Sequence, residues 1–131
     1  MLIDNIPLIV QVSKNKKVSL NLNTYRNLHF QLNNKAKSIL LDIIKRECLI
    51  EGILSTPPFE FLYTIFRRDK RKSDLMNVGS VIDKFVSDAL VTLGYITDDN
   101  TDIIKKVTII DGGVDKQNPH AKLEIRKYER M

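Results

Sequence analysis

The chain has 131 residues, of which 43% are hydrophobic and 28% charged, and its formal net charge at pH 7 is +5. These values predict one folded domain over residues 1–131, and the low glycine and proline counts argue against a disordered or fibrous chain. The positive charge favours an anionic partner such as nucleic acid.

A single cysteine, Cys48, excludes an intramolecular disulfide and a cysteine-based zinc site. Because Cys48 falls within an apolar helical pattern, we expect a buried and inert thiol. No apolar run approaches the length that spans a membrane, and the N-terminus lacks the basic and apolar regions of a signal peptide. A cytoplasmic protein is therefore expected.

The first part of the chain predicts extended segments followed by a helix. Residues 6–12 are rich in branched apolar side chains and predict a β-strand, and residues 18–23 alternate between apolar and polar side chains, which is typical of a short extended segment. Residues 35–50 predict a helix, because apolar side chains recur there at spacings of three and four: Ala36, Ile39, Leu40, Ile43 and Ile44.

The middle of the chain predicts a second strand and a second helix. Residues 59–66 are almost continuously apolar and predict a strand. The strongest helical pattern in the sequence is capped by Ser73 or Asp74 and ends at Gly94.

Two further strands are predicted at residues 104–111 and 121–128, as a candidate antiparallel hairpin with a long loop. The order of the elements predicts an α+β fold, in which one mixed β-sheet packs with two main helices.

A run of cations links the strand at 59–66 to Asp74: Arg67, Arg68, Lys70, Arg71 and Lys72. A second polar cluster, Asp98-Asp99-Asn100, lies just past the following helix. Cations attract phosphate, whereas clustered carboxylates repel it unless a divalent metal lies between them. The combination predicts a metal-dependent enzyme that acts on nucleic acid. The alternative is that the cations form a solvated loop, Asp74 caps the helix and the second cluster is a polar turn.

The length of that helix places a geometric demand on a shared site. About 20 residues span about 30 Å along the axis, so its two ends cannot form one site by themselves. The chain after the helix must run back along it to bring Asp99 towards Asp74, or a dimer must bring the opposite ends of two helices together.

One face of this helix also carries three polar side chains, those of Asn77, Lys84 and Asp88. They could contact a substrate, or Lys84 and Asp88 could form only a surface pair at spacing i, i+4. Asp83 points about 100° away from Lys84 and is expected at the surface.

Near the N-terminus, a polar and aromatic cluster could stack on an unpaired base or bind phosphate, or could be a surface loop with partly buried aromatic rings: Tyr25, Arg26, His29 and Lys35. The sequence has no phosphate-binding loop, dinucleotide turn or serine nucleophile elbow.

The order and spacing of these residues resemble the RusA-type Holliday junction resolvases, which are small endodeoxyribonucleases found mainly in phages and prophages. The matching pattern begins with the basic strand end at Arg67 and Asp74-Leu75-x-Asn77, continues with Lys84-x-x-x-Asp88-Ala89-Leu90, and ends with Gly94-Tyr95 and Asp98-Asp99. Residues 19–26 resemble the N-terminal Asn-x-x-Tyr-Arg segment of the family. The resemblance covers most of the chain.

The resemblance implies an α+β homodimer that uses Mg²⁺, or Mn²⁺ as a substitute, to cut branched, four-way DNA in recombination and repair. It implies Asp74, Lys84 and Asp99 as catalytic residues. It implies metal binding by Asp74 and Asp99, with Asp98 and Asn77 beside them. The cations from Arg67 to Lys72, with Tyr25 and Arg26, would contact the DNA.

Two positions depart from the family pattern. Met76 stands where the family has a second aspartate, and a thioether is a poor ligand for Mg²⁺. The helix is also one turn longer between Asn77 and Lys84. The missing ligand could then come from Asn77, from water, or from Asp83, which lies seven residues after Met76 on the same face. The alternative function is a non-catalytic, basic nucleic-acid-binding protein of a phage or mobile element, and a third possibility is a purely structural protein.

Overall fold

The computed structural model describes residues 1–28, 30–51, 54, 56–70 and 75–129. Strands and helices follow one another along the chain in the order β1 (Leu2–Pro7), β2 (Ile9–Ser13), β3 (Lys16–Ser19), α1 (Leu22–Asn27), α2 (Phe30–Glu51), β4 (Phe59–Arg67), α3 (Leu75–Thr92), β5 (Ile104–Val114) and β6 (His120–Lys127). The predicted α+β class is confirmed, as are the two main helices, α2 and α3.

Four strands form a mixed sheet in the order β1-β6-β4-β5, and β2 and β3 form a separate antiparallel pair. β4 runs antiparallel to β6 and parallel to β5. The predicted hairpin of the last two strands is therefore wrong, because β4 lies between them. A strand–helix–strand crossover joins parallel neighbours, and α3 provides that crossover between β4 and β5.

The core lies on one face of this sheet. Alternate residues of β4 are buried there (Phe59, Phe61, Tyr63 and Ile65), and β6 adds Ala121, Leu123 and Ile125. Both main helices cover this face with their apolar stripes. Cys48 is fully buried on α2, as predicted, and burial raises the pKa of its thiol to about 11.

The N-terminal region differs from the prediction in two places. The predicted strand 6–12 is divided at Leu8, whose backbone N–H donates to the Pro119 carbonyl, so β1 and β2 join different sheets. The predicted extended segment 18–23 ends at Ser19. The Asn21 side chain accepts a hydrogen bond from the Thr24 N–H at 2.9 Å and caps α1 there.

Helix α3 lies very close to the edge strand β5. A Cβ atom added to Gly79 would clash with Cδ1 of Ile109, so only glycine permits this approach without a shift of Ile109. The contact fixes α3 above β5. Within the described residues, none of the helices combines the length and the apolar character needed to cross a membrane.

Candidate functional site

The basic run continues directly from β4, and its first two arginines bind carboxylates. Arg67 donates from Nε and Nη2 to the two oxygens of Asp111 on β5, at 3.1 and 3.3 Å. Arg68 forms an ion pair with Asp69 at 3.6 Å. A hydrogen bond from the Gly113 N–H and the bonds from Arg67 lower the pKa of Asp111. Part of the positive charge predicted to contact DNA is thus already compensated within the chain.

The remaining cations of the run differ in whether the structure describes them. Lys70 is exposed, whereas Arg71, Lys72 and Asp74 lie outside the described residues. Asp74 immediately precedes Leu75, the first residue of α3.

A cavity of about 230 Å³ lies beside this basic end of β4. Its walls come from the last residue of β4 and the residue after it (Arg67 and Arg68), from the first turn of α3 (Asn77 and Val78) and from the base of the β2–β3 pair. The Asn77 Oδ1 atom accepts a hydrogen bond from the Leu22 N–H at 3.1 Å, which joins α3 to α1. The single side-chain oxygen of Asn77, the predicted metal neighbour, therefore already accepts a structural hydrogen bond.

At its other end, α3 closes with a Schellman motif. The Gly94 N–H donates to the Val91 carbonyl and the Tyr95 N–H to the Leu90 carbonyl, and Gly94 has a φ of 81°. The chain reverses at this point, and Ile96 is buried. After this reversal, the acidic residues that follow lie beside α3 rather than beyond its end. A site shared with the start of the helix requires this direction of the chain.

The returned residues form an acidic flank on the C-terminal half of α3. Asp98 and Asp99 line an open groove with Asp88 and Lys37. The Oδ2 atom of Asp88 lies 3.7 Å from the ammonium groups of both Lys37 and Lys84. The predicted Lys84–Asp88 pair is confirmed, and it holds the Lys84 ammonium at the edge of this flank.

Asp98 stabilises the loop that carries it. Its Oδ1 atom accepts from the Asp99 N–H at 2.7 Å, and its Oδ2 atom accepts from the Asn100 side chain at 3.1 Å. Both oxygens are therefore engaged in the local turn, as the polar-turn alternative for this cluster required. The backbone contact orients the adjacent Asp99.

Asp83 is half-buried, although the sequence predicted it at the surface. The Tyr63 hydroxyl donates to its Oδ1 atom at 2.7 Å, and the Ser87 hydroxyl donates to the same atom at 3.2 Å. Burial raises the pKa of Asp83, and the negative charges of Asp99 and Asp88 raise it further. The sequence signal for this burial was the position of Asp83 on the flank of the apolar stripe, next to Ile82.

Asp83 and Met76 line the same groove between α3 and β5. This groove has a volume of about 430 Å³, and Val107 and Ile109 of β5 form its opposite wall. Met76, where the resemblance predicts an aspartate, is 56% exposed. The two residues thus share a wall, as their spacing of seven predicted.

The described members of the N-terminal cluster differ in burial and in the elements that carry them. The Tyr25 ring packs edge-on against Phe85 of α3, with 5.9 Å between the ring centroids, and is partly buried. Arg26 is exposed in the last turn of α1, and Lys35 is exposed on α2. His29 lies outside the described residues.

The donor chemistry of the acidic flank suits Mg²⁺, which prefers carboxylate oxygens. The negative charges of Asp99 and Asp88 raise the pKa of Asp83, although Asp83 lines the groove against β5 and Asp88 and Asp99 line the groove beside Lys37. Among the residues that the structure describes, however, no three acidic, histidine or cysteine side chains converge closely enough to hold a metal ion. A complete metal site would need a donor from outside this set, such as Asp74.

No protein-family model and no curated protein matches this chain.

Proposed function

We propose that the chain is a Mg²⁺-dependent endodeoxyribonuclease that resolves four-way DNA junctions, in the manner of the RusA-type resolvases that its sequence resembles. The observation that carries this proposal is the return of Asp99 to the side of α3. Asp99 lines a groove with Asp88, which lies 13 residues, or about 20 Å, after the start of the helix, and the charge of Asp99 raises the pKa of Asp83. The return shortens the separation between Asp99 and the helix start, which Asp74 precedes.

In this proposal, Asp74 and Asp99 hold the metal, with Asp83 as the neighbouring carboxylate in place of Met76. When bound, Mg²⁺ would polarise the scissile phosphate and lower the pKa of the attacking water. Lys84, at the edge of the acidic flank, offsets the charge that develops on the phosphate. The products expected are a 5′-phosphate and a 3′-hydroxyl.

The basic end of β4 then binds the DNA backbone. Arg68, Lys70, Arg71 and Lys72 supply the cations, and such contacts position DNA without reading its sequence. Arg67 is oriented by Asp111 and contributes less to the local charge. Two matched cuts across a four-way junction require two sites related by two-fold symmetry, which a homodimer supplies.

The proposal is tested with a synthetic mobile four-way junction and Mg²⁺. We expect the wild-type chain to nick it symmetrically, and Asp74→Asn and Asp99→Asn to lose more than about 100-fold in rate, beyond what loss of an outer-shell partner costs. Asp102→Asn is the matched control, because Asp102 lies in the same loop region and is 91% exposed. Cutting by Asp74→Asn at the wild-type rate, or no cutting by the wild type with Mg²⁺ or Mn²⁺ at any junction sequence, would refute it.

Two observations favour the second function, a nucleic-acid-binding protein without catalysis. An exposed thioether, Met76, stands at the family aspartate, and both oxygens of Asp98 are engaged by its own loop. This alternative predicts salt-sensitive binding of the junction by the wild type and Asp74→Asn alike, with no Mg²⁺-dependent nicking by either.

A further inference from the structure

The cavity beside the basic end of β4 is not used by the proposed cleavage chemistry. Apolar side chains form much of its lining: Leu8, Ile9, Leu20, Val78 and Pro119. The Leu20 N–H donates to the Leu8 carbonyl at 2.8 Å, and the Leu8 N–H donates to the Pro119 carbonyl at 3.3 Å, so this lining is held in place. The volume of about 230 Å³ is below the ~300 Å³ of the smallest pockets for drug-sized ligands, which limits an occupant to about the size of one nucleobase.

Two asparagine side chains line the same cavity, and their hydrogen bonds fix the orientation of both amides. The Asn21 Oδ1 atom accepts from the Thr24 N–H at 2.9 Å. The Asn77 Oδ1 atom accepts from the Leu22 N–H at 3.1 Å. Only the oxygen of a carboxamide can accept such a bond, so each amide has one orientation. Among the described residues, neither Nδ2 group finds an acceptor, and the cavity therefore presents two NH₂ donors to a ligand.

Cationic side chains border the open side of the cavity. Arg67 and Arg68 line it, and the exposed Lys70 follows them in the chain. Asp69 is the only carboxylate among the described residues of the lining. Its ion pair with Arg68, at 3.6 Å, involves side chains that are 57% and 39% exposed, so it contributes little and can be exchanged for a phosphate contact. The charge at this side thus favours an anionic group.

These three features restrict the chemistry of the occupant. A free anion would gain nothing from the apolar walls, because an ion is costly to place there. An apolar ligand without acceptors would leave the Nδ2 groups of Asn21 and Asn77 covered and unpaired. A nucleotide has a flat apolar base with acceptors on its edge and a phosphate at its other end, so it satisfies the walls, the amides and the cations together.

We propose that the cavity binds one unpaired nucleotide of a DNA strand, with the base between the apolar walls and the phosphate at Arg68. Carbonyl oxygens of the base accept from the Nδ2 groups of Asn21 and Asn77. Thymine, with two carbonyl oxygens, suits two donors better than adenine, which carries an amino group and no carbonyl. A paired and stacked base cannot enter, so the nucleotide comes from a strand end or is unstacked at a branch point. The choice of DNA as the strand rests on the proposed function.

The test is an NMR titration of the full chain without Mg²⁺ and without a junction. The probes are dTMP, dAMP, thymidine, inorganic phosphate and a short oligo(dT) strand. We expect dTMP to shift the backbone amide signals of Leu20, Asn21 and Val78, and to bind at least about fivefold more tightly than dAMP, thymidine or phosphate. Oligo(dT) should bind more tightly than dTMP, because further phosphates reach cations such as Lys70.

The decisive variant is Asn21→Asp. Aspartate keeps an oxygen for the Thr24 N–H and is an equally good N-cap, so α1 is retained, but the NH₂ donor becomes an acceptor. We expect dTMP to bind about tenfold more weakly. Asn23→Asp is the matched control, because it makes the same change of charge at an exposed position of α1 and should leave the affinity unchanged.

Three results would overturn the proposal: no shift of the cavity signals with millimolar dTMP, equal affinities for dTMP and phosphate, or equal losses in the two variants. Equal affinities for oligo(dT) and dTMP would overturn the assignment to a DNA strand. Because neither metal nor junction is present, these results stand apart from cleavage. Binding without junction cleavage would contradict only the proposed function, and cleavage without this binding would contradict only the nucleotide site.

Discussion

At the scale of single residues, the Asp83 carboxylate joins the core to the proposed site. Its Oδ1 atom takes both hydrogen bonds, from Tyr63 and Ser87, and its side chain lines the groove beside Met76. Burial makes the charged form costly, and the Tyr63 hydroxyl offsets part of that cost. The pKa of the fully buried Tyr63 is raised by its own burial and by the Asp83 charge. The ionised form of Asp83 is therefore disfavoured at this position next to the groove.

We expect this cost to appear as a pH-dependent difference in stability between the wild type and Asp83→Asn. The folded-state pKa of Asp83 lies above its ordinary 3.8, so the folded chain holds the proton to higher pH than the unfolded chain. By linkage, the contribution of Asp83 to stability is fully present below 3.8 and is lost as pH rises through the raised pKa. Urea unfolding of both proteins from pH 3 to pH 8 measures the difference, and parallel curves would contradict the expectation.

Tyr63→Phe provides the second arm of that experiment. Loss of the hydroxyl leaves the ionised Asp83 with one donor fewer, so we expect a loss of about 1–3 kcal/mol at pH 7. The loss should be smaller at acid pH, where Asp83 is neutral. A pH-independent loss would assign the effect to packing of the ring instead.

At the scale of elements, the turn after α3 decides where the acidic cluster lies. Gly94 adopts a left-handed conformation that closes the helix with two backbone hydrogen bonds. The reversal then carries Asp98 and Asp99 back to Asp88. A continued helix would have carried the same two residues away from it.

We expect Gly94→Ala to lower the free energy of unfolding by about 1–2 kcal/mol, because a Cβ atom is unfavourable at this φ. Gly94→Asn is the matched control, since asparagine tolerates the left-handed region better and should cost less. Thermal unfolding of both variants measures the effect. Equal losses for alanine and asparagine would show that the backbone conformation is not the cause.

At the scale of the whole molecule, two clusters of positive charge stand out along the sequence. One is the basic end of β4, and the other is the turn between β2 and β3, with Lys14, Lys16 and Lys17. Only the first adjoins α3 and the cavity lined by Asn77. The position of the charge, rather than its total, should therefore govern the binding of DNA.

We expect the combined substitution of Lys70, Arg71 and Lys72 by alanine to reduce the salt dependence of junction binding by about 2–3 in the slope of log K against log[salt], at about 0.9 for each phosphate contact. The same substitution of Lys14, Lys16 and Lys17 removes equal charge from the β2–β3 turn and should change the slope little. Fluorescence anisotropy over a salt series measures both. Equal changes for the two variants would indicate a non-specific effect of net charge.

Much of the secondary structure could be predicted, because it rests on local patterns. The apolar run in β4 and the 3.6-residue period in α3 predicted the bounds of these two elements closely. The spacing of four residues between Lys84 and Asp88 allowed for their ion pair. The pairing of the strands could not be predicted in the same way. The position of β4 between β5 and β6 depends on contacts between residues far apart in the chain.

By itself, the sequence determined the α+β class, the two main helices and the chemical character of the candidate site, because composition and periodicity are local properties. Only the tertiary structure decided that Asp83 is half-buried beneath Tyr63, that Arg67 binds Asp111, and that β5 lies at the edge. It also decided that Asp99 returns to the side of α3. Each of these features arises where separate elements meet, and burial and strand pairing are properties of that packing rather than of any one segment.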